Sequence, residues 1–149
     1  MFALNLFEKL LDVDWDHRGH VSVDQLKDSV ARDVEALLNT RCGVSEVALT
    51  GFPAAQQSVL SFGLRDFVSL SLAKEGDREL ICEDIRRALM MHEPRLRNPV
   101  VSVTVRDEAS RRLHFSIQAL LIAHEANEVV NFDAVLQPNN LRYHVSKSR

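Results

Sequence analysis

The corner Glu93-Pro94-Arg95-Leu96 holds the residues of this sequence best placed to do chemistry. A carboxyl and a guanidinium two positions apart, on a backbone that the intervening proline holds extended, project to the same side as a rigid two-charge prong. Glu93 stands at the carboxyl end of a helical pattern. The negative pole of the helix disfavours an exposed carboxylate there by roughly 0.3–1 kcal/mol, so a cation must offset it. Two arrangements satisfy that need: an internal brace, with each charge paired inside the chain, or a docking device that pairs with charges on another subunit. Local physics does not choose between them. A third chemistry is glycoside hydrolysis, with Glu93 as general acid. It requires a second carboxyl about 5 to 9 Å away and an apolar pocket that keeps the acid protonated. Asp66 and Glu125 are available mates, but spacing selects neither, and 21 acidic residues supply such pairs freely.

Other reactive constellations are missing. The chain contains no GxSxG elbow, no glycine-rich phosphate loop and no HExxH helix. His17 and His20 form an HxxH in a polar loop without a third ligand, which reads as surface. His92 falls on an apolar helix face and reads as a packed side chain, and His114 as a solvated strand residue. Cys42 and Cys82 lie in different segments without metal spacing, as reduced structural thiols. No catalytic, metal or cofactor residue is assigned, and the expected cofactor is none.

The elements that must position the corner are legible by periodicity. Phe2, Leu6 and Leu10, with Phe7 and Leu11, fall at helical spacing, so residues 1–20 read as an arm with a short amphipathic helix. Residues 21–149 read as a single α+β domain. Ser22 and Gln25 form a capping-box pattern ahead of Leu26, Val30, Val34, Leu37 and Leu38, predicting a helix from about Val23 to Thr40. On its polar face Asp28 and Arg32 sit at an i,i+4 spacing. Gly43 is expected to end it with a left-handed turn, and Val44–Leu49 to form a short strand. The pattern from Ala54 to Leu72 is ambiguous. Gly76-Asp77 is expected to open a second helix bearing Ile81, Ile85, Ala88, Leu89 and His92 on one side, stopped by Pro94. The period then changes to two: Val101, Val103 and Val105, a turn over Asp107–Ser110, then Leu113, Phe115, Ile117, Ala119 and Leu121. Val130–Leu136 continues the meander, and Leu141, Tyr143 and Val145 suggest a fourth strand or a terminal extension. The class is therefore α+β, N-terminal helices followed by an antiparallel three- to four-stranded β-meander. Leu120 and Ile122 break the polar side of the middle strand, so something must cover both faces at its far end.

Composition narrows the partners. The 18 basic and 21 acidic residues leave a formal charge of −3 with no basic block, which excludes a phosphate-tracking surface and nucleic acid as a partner. Glu8 and Lys9 interrupt the opening apolar pattern, so no secretory signal is expected. Val47–Leu64 is free of charge, but Pro53, two glutamines and two glycines rule out a membrane span. Its expected cover is the chain's own helices, with another subunit as the alternative.

Four stretches in order resemble one known family. Leu6-Phe7-Glu8-Lys9-Leu10 is similar to its LFERL, Leu37-Leu38-Asn39-Thr40-Arg41 to its LLNTR, Ser58–Leu64 to its SVLNYGL, and Glu93-Pro94-Arg95 to its Glu-Pro-Arg signature. That family is the TssE-type subunits of type VI secretion baseplates, with the "lysozyme-like" wedge proteins of contractile-tailed phages. Ser61 and Phe62 stand where it often has Asn and Tyr, and His92 replaces a frequent aromatic. The resemblance implies a non-enzymatic cytoplasmic wedge subunit in a membrane-docked apparatus, with no cofactor and no direct membrane insertion. Its implied partners are TssF, TssG and TssK in the wedge and the sheath subunits TssB and TssC, which share strands with the C-terminal sheet by β-augmentation. The expected partner-binding residues are Glu93, Pro94, Arg95, Phe2, Phe7 and Leu10. A muramidase acting on peptidoglycan is the alternative.

Overall fold

The computed structural model describes residues 22–67, 70, 74–107, 112–123, 127–137 and 142–148. The arm with Phe2, Phe7 and Leu10, the loop with His17 and His20, the turn beyond Asp107, and Glu125 lie outside the described residues.

Helix α1, Val23–Asn39, starts where its capping box places it: the Ser22 hydroxyl accepts from the Gln25 amide, and the Gln25 side chain accepts from the Ser22 amide. It buries Leu26, Val30, Val34, Leu37 and Leu38. Asp28, on the opposite face, pairs with Lys147 at 2.6 Å. The helix does not end on Gly43. Thr40 is its C-cap, in extended conformation, with its hydroxyl donating to the Ala36 carbonyl at 2.8 Å, and positive φ among the described glycines falls at Gly51 and Gly63.

Val44–Leu49 is not a strand. Glu46–Leu49 forms a 3₁₀ turn because the Ser45 hydroxyl accepts from the Ala48 amide, a local bond that competes with strand pairing. A one-turn helix α2, Pro53–Gln56, and a second 3₁₀ turn, Val59–Ser61, complete a lobe that returns to α1. Backbone bonds close its base: Leu64 donates to the Thr40 carbonyl and Cys42 to the Leu64 carbonyl, both at 2.9 Å.

Helix α3, Glu75–His92, begins two residues before the expected cap. Lys74 is its N-cap and makes no side-chain cap bond, so Asp77 lies inside the first turn, where its charge suits the helix pole. Ile81, Ile85, Ala88 and Leu89 face the core, and Glu93 caps the end ahead of Pro94.

Four strands follow: β1 (Leu96–Asp107), β2 (Arg112–Ile122), β3 (Asn127–Gln137) and β4 (Arg142–Lys147). They form one antiparallel meander in the order β1-β2-β3-β4. β1 starts earlier than its alternation indicated, because Leu96 and Arg97 pair with Leu121 and Leu120 before a bulge at Asn98 (φ 49°) and Pro99 resets the register. α1 and α3 pack on one face of the sheet, over Phe115, Ile117, Leu121 and Phe132. Among the described residues nothing covers the other face, where Leu120 and Ile122 are half-buried and Val100 and Val129 are exposed.

Gly63 is the tightest point of the lobe's return. Its φ is +107°, and a Cβ there would stand 2.6 Å from the Thr40 carbonyl oxygen. Gly63→Ala is expected to lower the unfolding free energy by about 1–3 kcal/mol, from strain at an unfavourable φ and the clash combined. Urea denaturation reads this directly, and an unchanged midpoint would show that the return is not held as tightly as described.

Candidate functional site

Glu93 and Arg95 are buried, 4% and 7% exposed, and Pro94 between them is exposed. As the two-residue spacing indicated, both charges project to the same side. That side is the core. The Arg95 Nε donates to Glu93 Oε1 at 2.6 Å and Nη2 to Glu93 Oε2 at 2.5 Å, a bidentate pairing of fork and carboxylate. Nη2 also donates to Asp33 Oδ2 at 2.5 Å and Nη1 to the buried Ser29 hydroxyl at 3.2 Å, both on α1. The Arg95 carbonyl accepts from the Ile122 amide of β2 at 2.8 Å.

Burial by itself would lower the Arg95 guanidinium. The hydrogen bond and charge of Glu93, then those of Asp33, outweigh it and hold the group above its ordinary value. Among the described residues no buried side-chain nitrogen or oxygen lacks a partner. The brace describes this corner. A docking prong needs accessible charges, and a general acid needs access to a sugar; both Glu93 oxygens are engaged and almost no surface of the residue reaches solvent.

Sequence reasoning missed a second buried ionic node. Asp84 is 2% exposed and accepts from the Arg65 amide at 3.0 Å, from Arg65 Nε at 2.6 Å and from Arg87 Nη2 at 3.0 Å. It ties the outgoing end of the lobe to α3. The signal available was an acid at helical spacing between Ile81 and Ala88, on a face that is otherwise apolar.

Between the lobe and α3 lies a cavity of about 160 Å³, whose walls include Leu49, Gln56, Ser61, Ala88, Met91 and His92. His92 is half-buried, as a packed residue should be. Its Nε2 lies 3.0 Å from the Ser61 carbonyl oxygen, and its ring meets Phe62 edge-on with centroids 5.3 Å apart. The three positions at which the sequence departs from the family pattern are therefore in mutual contact. A second, more open groove of about 300 Å³ runs between α3 and β1, beside Cys82, Glu83, Arg86 and Val103. Among the described residues no strand pairs with the outer margin of β1. No group of three metal-ligating side chains occurs among them, and no helix is long and apolar enough to cross a membrane.

The family model of the baseplate wedge protein gp25 matches residues 24–126, more than half of the chain. The chain belongs to the baseplate wedge protein family. Its match runs from the start of α1 to beyond β2, so it takes in both ionic nodes, the lobe and the open margin. Membership carries a structural role in a baseplate, among other baseplate components. A solved structure from Geobacter sulfurreducens, called a "putative tail lysozyme", is similar in fold, with a TM-score of 0.51 and 17% identity over 76% of this chain and 94% of that one. No curated protein matches the sequence.

In this wedge protein, removing one partner of the buried pair leaves the other charge stranded. Glu93→Gln and Arg95→Met are each expected to cost roughly 3–5 kcal/mol, while the joint Glu93→Leu, Arg95→Met replacement costs less than the sum. A double-mutant cycle in urea measures the coupling. Singles with wild-type stability would mean that the charges sit in solvent.

Proposed function

We propose that this chain is the TssE-type wedge subunit of a type VI secretion baseplate. It joins TssF, TssG and TssK in the cytoplasmic part of a membrane-docked apparatus and gives the contractile sheath of TssB and TssC its first docking surface. The observation that carries this reading is the open margin of β1, in a chain that belongs to a wedge family. A strand margin without a neighbour offers a row of main-chain donors and acceptors, and a strand from another subunit satisfies them by β-augmentation. The bulge at Asn98 and Pro99 spoils the first part of β1 for such pairing and leaves the run from Val101 onward. The groove between α3 and β1 gives the incoming strand's side chains a place to lie.

In this reading Glu93 and Arg95 serve assembly indirectly, by holding β1 against α1 and α3. The arm docks by Phe2, Phe7 and Leu10 as a short helix in a partner groove, burying apolar positions at helical spacing. The subunit performs no turnover: Glu93 acts as the acceptor of a buried guanidinium, and "lysozyme" in the name of the Geobacter structure is a statement about that protein.

Purified chain mixed with TssF and TssG is expected to give a stable complex on gel filtration, weakened by deletion of residues 1–12 with little change in thermal stability. Failure to form any complex would defeat the proposal. Cell-wall glycan incubated with the chain should be left intact, and glycan cleavage that Glu93→Gln abolishes would revive the muramidase alternative.

A further inference from the structure

The expectation that the chain's own helices cover Val47–Leu64 does not hold among the described residues, where only Leu49, Gly63 and Leu64 are buried. Helix α1 covers something else. Its side chains lie along the outer margin of β4, the last strand of the meander. Asn39 pairs there with both main-chain groups of one residue: the Tyr143 amide donates to Asn39 Oδ1 at 2.9 Å, and Asn39 Nδ2 donates to the Tyr143 carbonyl at 2.8 Å. Glu35 takes the next position, where its Oε2 accepts from the Val145 amide at 2.8 Å and lies 3.1 Å from His144 Nδ1. An amide has a single hydrogen, so neither Tyr143 nor Val145 has one left for a further strand.

The fit follows from two repeats. Four residues of α-helix rise about 6 Å, and two residues of a strand advance about 6.6 Å. Side chains at i and i+4 therefore fall opposite alternate strand residues, the ones whose main-chain groups point out of an antiparallel margin. The side chain of Asn carries the same donor and acceptor as a peptide unit, so Asn39 stands in for one residue of a fifth strand. One helical turn before Glu35 the position falls to Ala31, which has no polar group to offer. There α1 holds the strand by a side chain instead, Lys147 Nζ to Asp28 Oδ1 at 2.6 Å.

The two margins of the sheet are thus unlike. β1 ends the sheet on one side without a strand, while β4 ends it on the other with outward amides already engaged. A sheet open on both margins joins head to tail, β1 of one copy on β4 of the next. Such a contact is heterologous and, where it does not close into a ring, grows into a filament. A sheet open on β1 alone accepts one strand and stops, and pairing of β1 with β1 is isologous and ends at a dimer.

We infer that Asn39 and Glu35 determine where the sheet accepts a neighbour: they close the β4 margin with side chains, so that a strand from another subunit adds at β1 alone, one per chain. The inference rests on the strand addition proposed at β1 and assigns a role to residues on the opposite side of the sheet.

The test is sedimentation velocity of the full-length chain over a wide range of concentration, with amide exchange followed at Tyr143 and Val145. Asn39→Leu with Glu35→Ala removes the bonds to both residues. Their amides should then exchange roughly tenfold faster in dilute protein, and species larger than a dimer should accumulate with concentration, while the wild-type chain never exceeds a dimer. Glu35→Gln keeps an acceptor for the Val145 amide and should behave as wild type. Asp28→Ala, which loosens α1 from β4 without freeing a main-chain group, should do the same. Should the double variant not fold, Glu35→Ala alone is expected to show the same growth. Faster exchange without growth beyond a dimer overturns the inference, and so does equal growth in Asp28→Ala, which would make the effect one of stability. Complex formation with purified TssF–TssG is measured on the wild-type chain in parallel. A complex without growth of the variants refutes the closed margin and leaves the wedge reading; growth without a complex supports the closed margin and removes the wedge reading.

Discussion

One guanidinium holds the parts of this fold in relation to each other. Arg95 pairs with Glu93 at the end of α3, reaches Ser29 and Asp33 on α1, and accepts through its carbonyl from Ile122 on β2. Taking such an ion out of water costs several kcal/mol, so the arrangement persists only because the fork of donors finds acceptors at the angles it demands. The consequence is geometric. Where Arg95 sits determines where Leu96 meets Leu121, hence the register of β1 on β2.

Asp84 plays a comparable part on the other side of α3, with the roles of the charges exchanged. There the buried group is the carboxylate, and two arginines reach it from the surface. The chain between Thr40 and Arg65 buries only Leu49, Gly63 and Leu64 among its described residues, and its short 3₁₀ turns and one-turn helix would not persist alone. Tethered at the base by backbone bonds and at the exit by Asp84, it becomes a fixed projection of apolar surface. Each ionic node holds one exposed surface of the molecule in place.

Much of the scaffold was legible because its signals are local. The Ser22 and Gln25 box, the stop at Pro94 and the period-two runs of the sheet each depend on residues a few positions apart. What failed depended on competition or on distance. Gly43 had the right residue type for a left-handed turn, but the Thr40 hydroxyl ended α1 first. Val44–Leu49 is too short for periodicity to separate a strand from a turn, and the Ser45 cap decided it. The charges at 93 and 95 were correctly placed on one side of the chain, yet whether that side faced the core turned on Ser29 and Asp33, more than sixty residues earlier. Asp84 was passed over because an acid on a helix ordinarily reads as solvated, and its partner Arg65 lies in the one segment whose pattern was ambiguous.

An apolar trio in place of Glu93, Arg95 and Asp33 could fill the same space with equal or better stability, which raises the question of what the ions add. Contacts among aliphatic groups have no preferred direction of their own, so an apolar cluster can repack around a shifted strand or a rotated helix. A planar fork gripping a carboxylate two residues back and a hydroxyl on another helix has a single good geometry. The two nodes thereby hold the β1 margin and the exposed lobe at a set distance and angle to each other. The buried charges therefore contribute precision of geometry rather than contact, and in the wedge role proposed above the docking chemistry falls to backbone groups along β1, where no sequence motif announces it.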